Sequence, residues 1–159
     1  MEMNTEPKEH IFDESLVILN PASDGKRFLN YLVDYLFMNF VLSFATDFLL
    51  TQIVGMINPE MVYDLFVAQD TWDLIISSYM FAILNFLIYY TLCEKLFNGQ
   101  TLGKLVTGTR AVRADGLPLT WKDAILRSLC RLIPFEPFSA FGGNPWHDSL
   151  TNTTVVTKN

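Results

Sequence analysis

The twenty residues Leu74–Cys93, with the sequence LIISSYMFAILNFLIYYTLC, contain no charged side chain. An α-helix rises about 1.5 Å per residue, so this stretch covers the hydrocarbon layer of a bilayer, which is roughly 30 Å thick. A second apolar stretch, Phe28–Ile57, lies upstream, and about twenty residues counted from Arg27 cross the same layer. The sequence therefore predicts an all-α membrane protein with two transmembrane helices, at about 28–50 and 74–93, that form a hairpin.

The composition agrees with a membrane protein. Half of the 159 residues are apolar and 18% are charged, and the mean hydropathy is +0.25, which is unusual for a soluble domain. The net charge of −6 argues against a surface that holds nucleic acid by its phosphates, so nucleic acid is not expected as a partner. The two cysteines, Cys93 and Cys130, lie far apart, so neither a disulfide framework nor a zinc site is predicted.

Charge is distributed unevenly along the chain. Residues 1–25 carry six acidic side chains and one lysine, which predicts an acidic, soluble N-terminal tail rather than a secretory signal. Residues 26–159 are then one membrane domain. Residues 55–73, between the two spans, have four acidic and no basic side chains, whereas residues 94–131 have seven Lys and Arg. Because basic segments stay on the cytoplasmic side of a membrane, we expect both termini in the cytoplasm.

The last third of the chain is more polar. Two short β-like runs flank the favoured turn Asp115-Gly116 within Gly108–Thr120, so we predict a small cytoplasmic β-hairpin. The amphipathic segment at about 121–141 contains two arginines, which are costly in hydrocarbon, and the stretch Pro134–Trp146 at its end is too short for a third span. It is predicted to lie in the membrane interface or to re-enter part way. The strand-like run Thr153–Val156 is expected to pair with the hairpin.

The first span carries a polar edge near its start. Arg27, Asn30, Tyr31 and Asp34 share one helix face, and Asp34 lies about 10 Å further along the helix than Arg27. An ionisable group at such a depth faces a partner or a wet cavity rather than lipid. Two interpretations stay open. Asp34 is either a site that binds or carries a cation or proton, or a structural group that ties this helix to the basic segment.

Asp47 differs from Asp34 in depth. It lies about 30 Å beyond Arg27 along the helix, which places it at the outer interface of the membrane and too far from Asp34 to form a pair. We therefore interpret Asp47 as part of a solvated helix end.

Two further motifs invite a chemical interpretation. His147 and Asp148 are adjacent, and such a pair occurs in catalytic and metal sites, but the spacing provides no third group. No catalytic residue, metal or cofactor is therefore predicted. Gly99–Lys104 is similar to a phosphate-binding loop, yet its glycines are one residue too close, so nucleotide binding is rejected. We expect the two glycines to permit tight turns where the chain leaves the membrane, and Lys104 to face lipid phosphates.

A combination of short motifs gives the chain a family resemblance. In chain order they are Arg27-Phe-Leu-Asn-Tyr-Leu-Val-Asp34, Gly99-Gln-Thr-Leu-Gly-Lys-Leu-Val-Thr-Gly-Thr-Arg-Ala-Val112, Ala114-Asp-Gly116, Ala124-Ile-Leu-Arg127 and Trp146-His-Asp-Ser-Leu-Thr-Asn-Thr153. In this combination the chain, from about residue 27 to its end, resembles the RDD family of bacterial multi-pass membrane proteins.

The resemblance implies which residues matter in such a protein. The family is named for one arginine and two aspartates, and Arg27 and Asp34 match the first two. Asp148 is our choice for the third position, with Asp47 as a rival. The chain departs from the family pattern at Asn30, where a small apolar residue is common, and at Asn152, where glycine is typical. If the C-terminal segment folds back, Asp148 approaches and neutralises Arg27 on the cytoplasmic side.

The resemblance also implies a location in the bacterial inner membrane, with no agreed biochemical role. Transport of an unidentified ligand has been suggested for the family, and sodium–proton exchange is attached to some members. We expect a protein without enzymatic activity that acts as an accessory or interaction subunit in the bilayer, beside copies of itself or other membrane proteins. The alternative is an oligomeric cation/proton transporter component with Asp34 as the carrier of a monovalent cation or proton. An enzyme that uses His147 and Asp148 is the weakest hypothesis.

Overall fold

Two long apolar helical segments dominate the computed structural model, which describes residues 19–66, 71–139 and 145–158. The greater part of the predicted acidic tail (residues 1–18) and the end of the predicted amphipathic segment (residues 140–141) lie outside the described residues. In chain order the helices and strands are α1 Asp24–Phe37, a π-helical segment Met38–Leu42, α2 Ser43–Ile57, α3 Pro59–Phe66, α4 Thr71–Leu96, α5 Leu102–Thr107, β1 Thr109–Arg113, α6 Trp121–Cys130, α7 Glu136–Ser139, α8 Trp146–Thr151 and β2 Thr153–Thr157.

The two predicted spans are present as candidate membrane helices. The first is the continuous run Asp24–Ile57, which joins α1, the π-helical segment and α2, and the second is Ile75–Leu96 within α4. Both are long and apolar enough to cross a membrane. Ser23 caps the start of the first run, since its hydroxyl accepts a hydrogen bond from the backbone N–H of Lys26 at 3.5 Å.

The β-structure differs from the predicted hairpin. The turn at Asp115-Gly116 forms, but β1 pairs with β2 in an antiparallel two-stranded sheet in which Ala111 lies opposite Val155. The arm after the turn does not extend β1, because Pro118 has no N–H to donate and Leu119 is buried in the small core with Ala111 and Val155. The predicted pairing of the C-terminal run with this part of the chain is confirmed.

The predicted amphipathic segment forms two helices instead of one. Helix α6 ends at Cys130, and turns through Pro134 precede the short α7. Helix α6 packs against α4 and α8. Its charged residue Arg127 is completely buried, while Ile125 and Leu129 are each 45% exposed. The helix therefore turns Arg127 inward and Ile125 and Leu129 outward, an arrangement that suits an apolar surrounding better than water.

Two glycines allow close contacts in the polar end of the chain, a name that we use for the start of α1, the end of α4 and the described residues that follow α4. A Cβ atom on Gly103 in α5 would lie 2.2 Å from the carbonyl oxygen of Asn30, so only glycine lets α5 pack on α1. Gly99 has a φ of +84°, and a Cβ atom there would lie 2.0 Å from the carbonyl oxygen of Ala111. The predicted tight turn is thus present at Gly99, whereas Gly103 is part of a helix and serves contact between helices.

Candidate functional site: a buried ionic network

The carboxylate of Glu94, near the end of α4, is the centre of a buried ionic network. It is completely buried and accepts hydrogen bonds from Lys104 Nζ at 2.5 Å, Arg127 Nε at 2.8 Å and Arg131 Nη2 at 2.7 Å. Arg127 is in the last turn of α6 and Arg131 directly follows the helix, so the two side chains, four residues apart, lie on the same side. Arg131 also lies over the ring of Tyr90, 4.5 Å from its centre. The network therefore ties α4 to α5 and α6.

Arg127 joins this centre to a second buried carboxylate. Asp148 in α8 accepts hydrogen bonds from Arg127 Nη1 at 2.6 Å and from Arg27 Nη1 at 2.5 Å. Burial alone would raise the pKa of Asp148, but the guanidiniums of Arg127 and Arg27 hold it below its usual value. Burial alone would lower the pKa of Arg127, but the carboxylates of Glu94 and Asp148 raise it. Buried groups of opposite charge therefore join α1, α6 and α8.

Asp34 forms a separate branch. Its side chain is buried, and its two oxygens accept hydrogen bonds from the Tyr89 hydroxyl at 2.7 Å, the Thr101 hydroxyl at 2.6 Å and the backbone N–H of Gly103 at 2.7 Å. The described residues provide Asp34 with no ion pair. Three neutral donors thus satisfy this carboxylate and fix α1 against α4 and the start of α5.

Asn30 extends the same branch by one helical turn. It is buried, and its side-chain amide lies within hydrogen-bonding distance of the hydroxyls of Thr107 and Thr109. This contact links α1 to the junction of α5 and β1. Arg27, Asn30 and Asp34 of the predicted polar edge therefore make contacts within the chain, whereas Tyr31 is exposed.

His147 lies between two carboxylates in α7 and α8. Its Nδ1 atom forms a hydrogen bond with Glu136, and its Nε2 atom is 3.4 Å from an oxygen of Asp148. Burial lowers the pKa of His147, and Arg131 and Arg127 lower it further, so the imidazole is neutral near pH 7. Burial raises the pKa of Glu136.

A cavity of about 90 Å³ borders both the ionic network and the Asp34 branch. Among its lining residues are Arg27, Asp34, Lys104, Arg131 and His147. Its volume is enough for a few water molecules or a small ion. The described residues contain no group of three His, Cys, Asp or Glu arranged to hold a metal ion.

The structure brings most of the sequence-predicted residues into one region. Arg27 and Asp148 are in direct contact, His147 is beside Asp148, and Asn30 and Asp34 lie in the neighbouring branch. Asp47 lies apart from all of them. It is exposed and lines a different cavity, between α2 and α4.

Four members of the network escaped prediction from the sequence: Glu94, Lys104, Arg127 and Arg131. A signal for Glu94 was present, because it is the first charge after twenty uncharged residues and it precedes a strongly basic segment. The prediction that Lys104 faces lipid phosphates is wrong. Its side chain is 3% exposed and pairs with Glu94, since a buried carboxylate requires a nearby cation more than the lipid surface does. Burial lowers the pKa of Lys104 to about 8, although Glu94 partly offsets this effect.

Comparison with known proteins gives one match. A family model described as the RDD family matches residues 21–154, which include every residue of the ionic network and of the Asp34 branch. Curated proteins and solved structures provide no match to the chain.

Proposed function

This chain belongs to the RDD family, and from that premise we propose that it is a small multi-pass protein of the bacterial inner membrane. In this proposal it has no enzymatic activity and acts as an accessory or interaction subunit of a membrane assembly. Its immediate partners are the lipid bilayer and either copies of itself or other membrane-protein subunits.

One contrast carries the proposal. The buried carboxylates of the polar end have hydrogen-bond partners inside the chain, whereas the rest of the chain leaves the two candidate spans largely uncovered. Asp34, Glu94 and Asp148 each accept two or three hydrogen bonds inside the chain. Groups bonded in this way hold secondary structures together and leave few free lone pairs for a ligand. In the two candidate spans, by comparison, 0% and 11% of the most apolar window is buried. Lipid tails cover such apolar surfaces, and the same surfaces are free to pack against other transmembrane helices.

The ends of the chain support the proposed topology. Ala22, just before the first span, donates a backbone hydrogen bond to Val155 in β2 at 2.9 Å, so the segments that flank the spans meet on one side. The seven basic residues of 94–131 belong to this side, which favours a cytoplasmic location for both termini. Single-cysteine labelling in intact and permeabilised cells, in a chain with Cys93 and Cys130 replaced, tests this arrangement. Labelling at residue 158 only after permeabilisation is the expected result, and labelling in intact cells contradicts it.

The alternative function, a cation/proton transporter component with Asp34 as carrier, is favoured by a different observation. Asp34 borders the 90 Å³ cavity together with Lys104 and His147, so water or a small ion in that cavity lies close to its carboxylate. The three hydrogen bonds to Asp34 weaken this case, because a carrier must release its contacts in each cycle.

One experiment separates the two functions. Wild type, Asp34→Asn and the control Asp115→Asn, which alters an exposed carboxylate in the Asp-Gly turn, are reconstituted in vesicles with an internal pH dye and given external sodium, potassium or lithium. The subunit function predicts no cation-dependent proton flux in any of the three, and a lower unfolding temperature for Asp34→Asn alone. A flux in wild type and Asp115→Asn that disappears in a folded Asp34→Asn protein would establish the transporter function instead.

A further inference from the structure

A second polar feature lies between the spans, away from the ionic network. A cavity of about 450 Å³ separates α2 from α4, and its lining residues differ from those of the smaller cavity. The polar side chains that line it are Ser43, Asp47, Thr51, Ser77, Ser78 and Asn85. We call these six residues and the space between them the polar cleft.

The depth of the polar cleft follows from one hydrogen bond. The amide of Asn85 in α4 donates to the hydroxyl of Thr46 in α2 at 2.9 Å, so these two positions lie side by side. Asn85 is twelve residues after Asp73 and nine before Glu94, the charges that bound the uncharged stretch. It is therefore about 18 Å and about 14 Å from the two ends of that stretch. Thr46 and its neighbour Asp47 thus lie near the middle of the apolar layer.

The length of α2 leads to the same depth. Ten helical residues, about 15 Å, follow Asp47 before the helix ends at Ile57. This depth differs from the solvated helix end that the sequence predicts for Asp47. Arg27 and Asp34 make buried contacts near the start of the helical run, and the uncovered part of the helix begins beyond them.

The carboxylate of Asp47 lies at a depth where a charged group needs a partner. Among the described residues its carboxylate makes no hydrogen bond and no ion pair, although its backbone carbonyl accepts one from Thr51. A carboxylate at this depth is costly in lipid and faces another helix or a water-filled space. Neither 28–58 nor 71–94 contains Lys, Arg or His. A second copy of this chain consequently cannot supply a positive charge at the level of Asp47.

We propose that the polar cleft binds a transmembrane helix of a partner protein that carries one basic side chain near the bilayer centre. The basic group pairs with Asp47, and the hydroxyls of Ser43, Ser78 and Thr51 line the space around it. Charge complementarity selects this occupant over an apolar helix and over a second copy. This inference rests on the proposed function, since it names the chemistry of the partner that an interaction subunit would hold.

The test uses the full chain in vesicles with designed guest helices. The guests are polyleucine spans that differ only in their central residue, which is Lys, Gln or Leu. Energy transfer between a donor on the guest and an acceptor on the C-terminus of the chain reports binding. We expect the Lys guest to bind at least about tenfold more tightly than the Leu guest to wild type and to Asp115→Asn. We expect this preference to vanish in Asp47→Asn, with its unfolding temperature unchanged.

Three outcomes overturn the inference. Equal binding of the Lys and Leu guests, or a preference for Lys that survives in Asp47→Asn, shows that Asp47 does not select the partner. Energy transfer between differently labelled copies of the chain without any guest, lost in Asp47→Asn, shows that a second copy fills the cleft.

Resistance of the chain to alkaline extraction is measured on the same vesicles. A chain that is extracted refutes the proposed membrane function, whereas an integrated chain without Lys preference refutes the guest specificity alone.

Discussion

Two aspartates on the same long helical run have opposite surroundings. Asp34 is buried and accepts three hydrogen bonds from Tyr89, Thr101 and Gly103. Asp47, further along the run, is exposed and has no side-chain partner in the described part of the chain. The difference indicates that Asp34 stabilises the fold of the chain itself, whereas the carboxylate of Asp47 is free to make a contact outside the described residues. The ionic network joins the segments that flank the spans, whereas the polar cleft lies between the spans.

The largest effect is expected from removing the residue that joins the two buried carboxylates of the network. Arg127→Ala removes the guanidinium that contacts both Glu94 and Asp148 and leaves Asp148 with Arg27 alone, and breaking buried pairs in this way costs about 3–5 kcal/mol. Thermal unfolding in detergent checks this, with Arg110→Ala, which removes an exposed arginine from β1, as the control. Similar unfolding temperatures for the two variants would mean that the polar end is not what holds the fold together.

An intermediate effect is expected from the direct comparison of Asp34→Asn with Asp47→Asn. The new amide at position 34 turns an NH₂ group toward donors, so we expect a loss of about 1–3 kcal/mol in the free energy of unfolding. The change at position 47 meets no donor among the residues that the structure describes and is expected to alter the free energy of unfolding by less than about 0.5 kcal/mol. Denaturant unfolding of both variants in the same detergent measures the difference. Equal losses would remove the contrast between the two aspartates.

The smallest effect is expected from pH and concerns only the network. Burial, Arg131 and Arg127 lower the pKa of His147, so the unfolded chain binds a proton more readily than the folded one below about pH 6.5. This histidine therefore contributes stability above that pH and loses it as the pH falls toward its folded pKa. Glu136, whose pKa burial raises, works in the opposite direction.

Because of that opposition, the measurement is the difference between wild type and His147→Gln at each pH. We expect wild type to lose unfolding temperature relative to the variant between pH 7.5 and pH 5.5, with Glu136, Asp148 and the surrounding cations common to both. Parallel curves would show that His147 is not held neutral by its neighbours. Asp148, whose pKa the guanidiniums lower, adds a further loss for both proteins only near and below its usual pKa of about 4.

Local pattern was enough for several features of the fold. Two apolar stretches without charge predict the candidate spans, and a β-branched C-terminal run predicts the strand that pairs with β1. The prediction of a hairpin was wrong because a turn motif does not determine which strand pairs with β1. Arg27 with Asp148 could be foreseen only from the family resemblance, since 120 intervening residues carry no signal of their contact.

The sequence by itself determined that this chain has two apolar helices, a basic segment after them and the motifs of its family, because composition and short spacing are local properties. Only the tertiary structure decided that Glu94 collects three cations, that Lys104 is buried, and that Asp34 is satisfied while Asp47 is not. These outcomes depend on which distant donors reach each carboxylate in a medium where an unpaired charge is costly. Two aspartates that look alike in the sequence consequently differ in the folded chain.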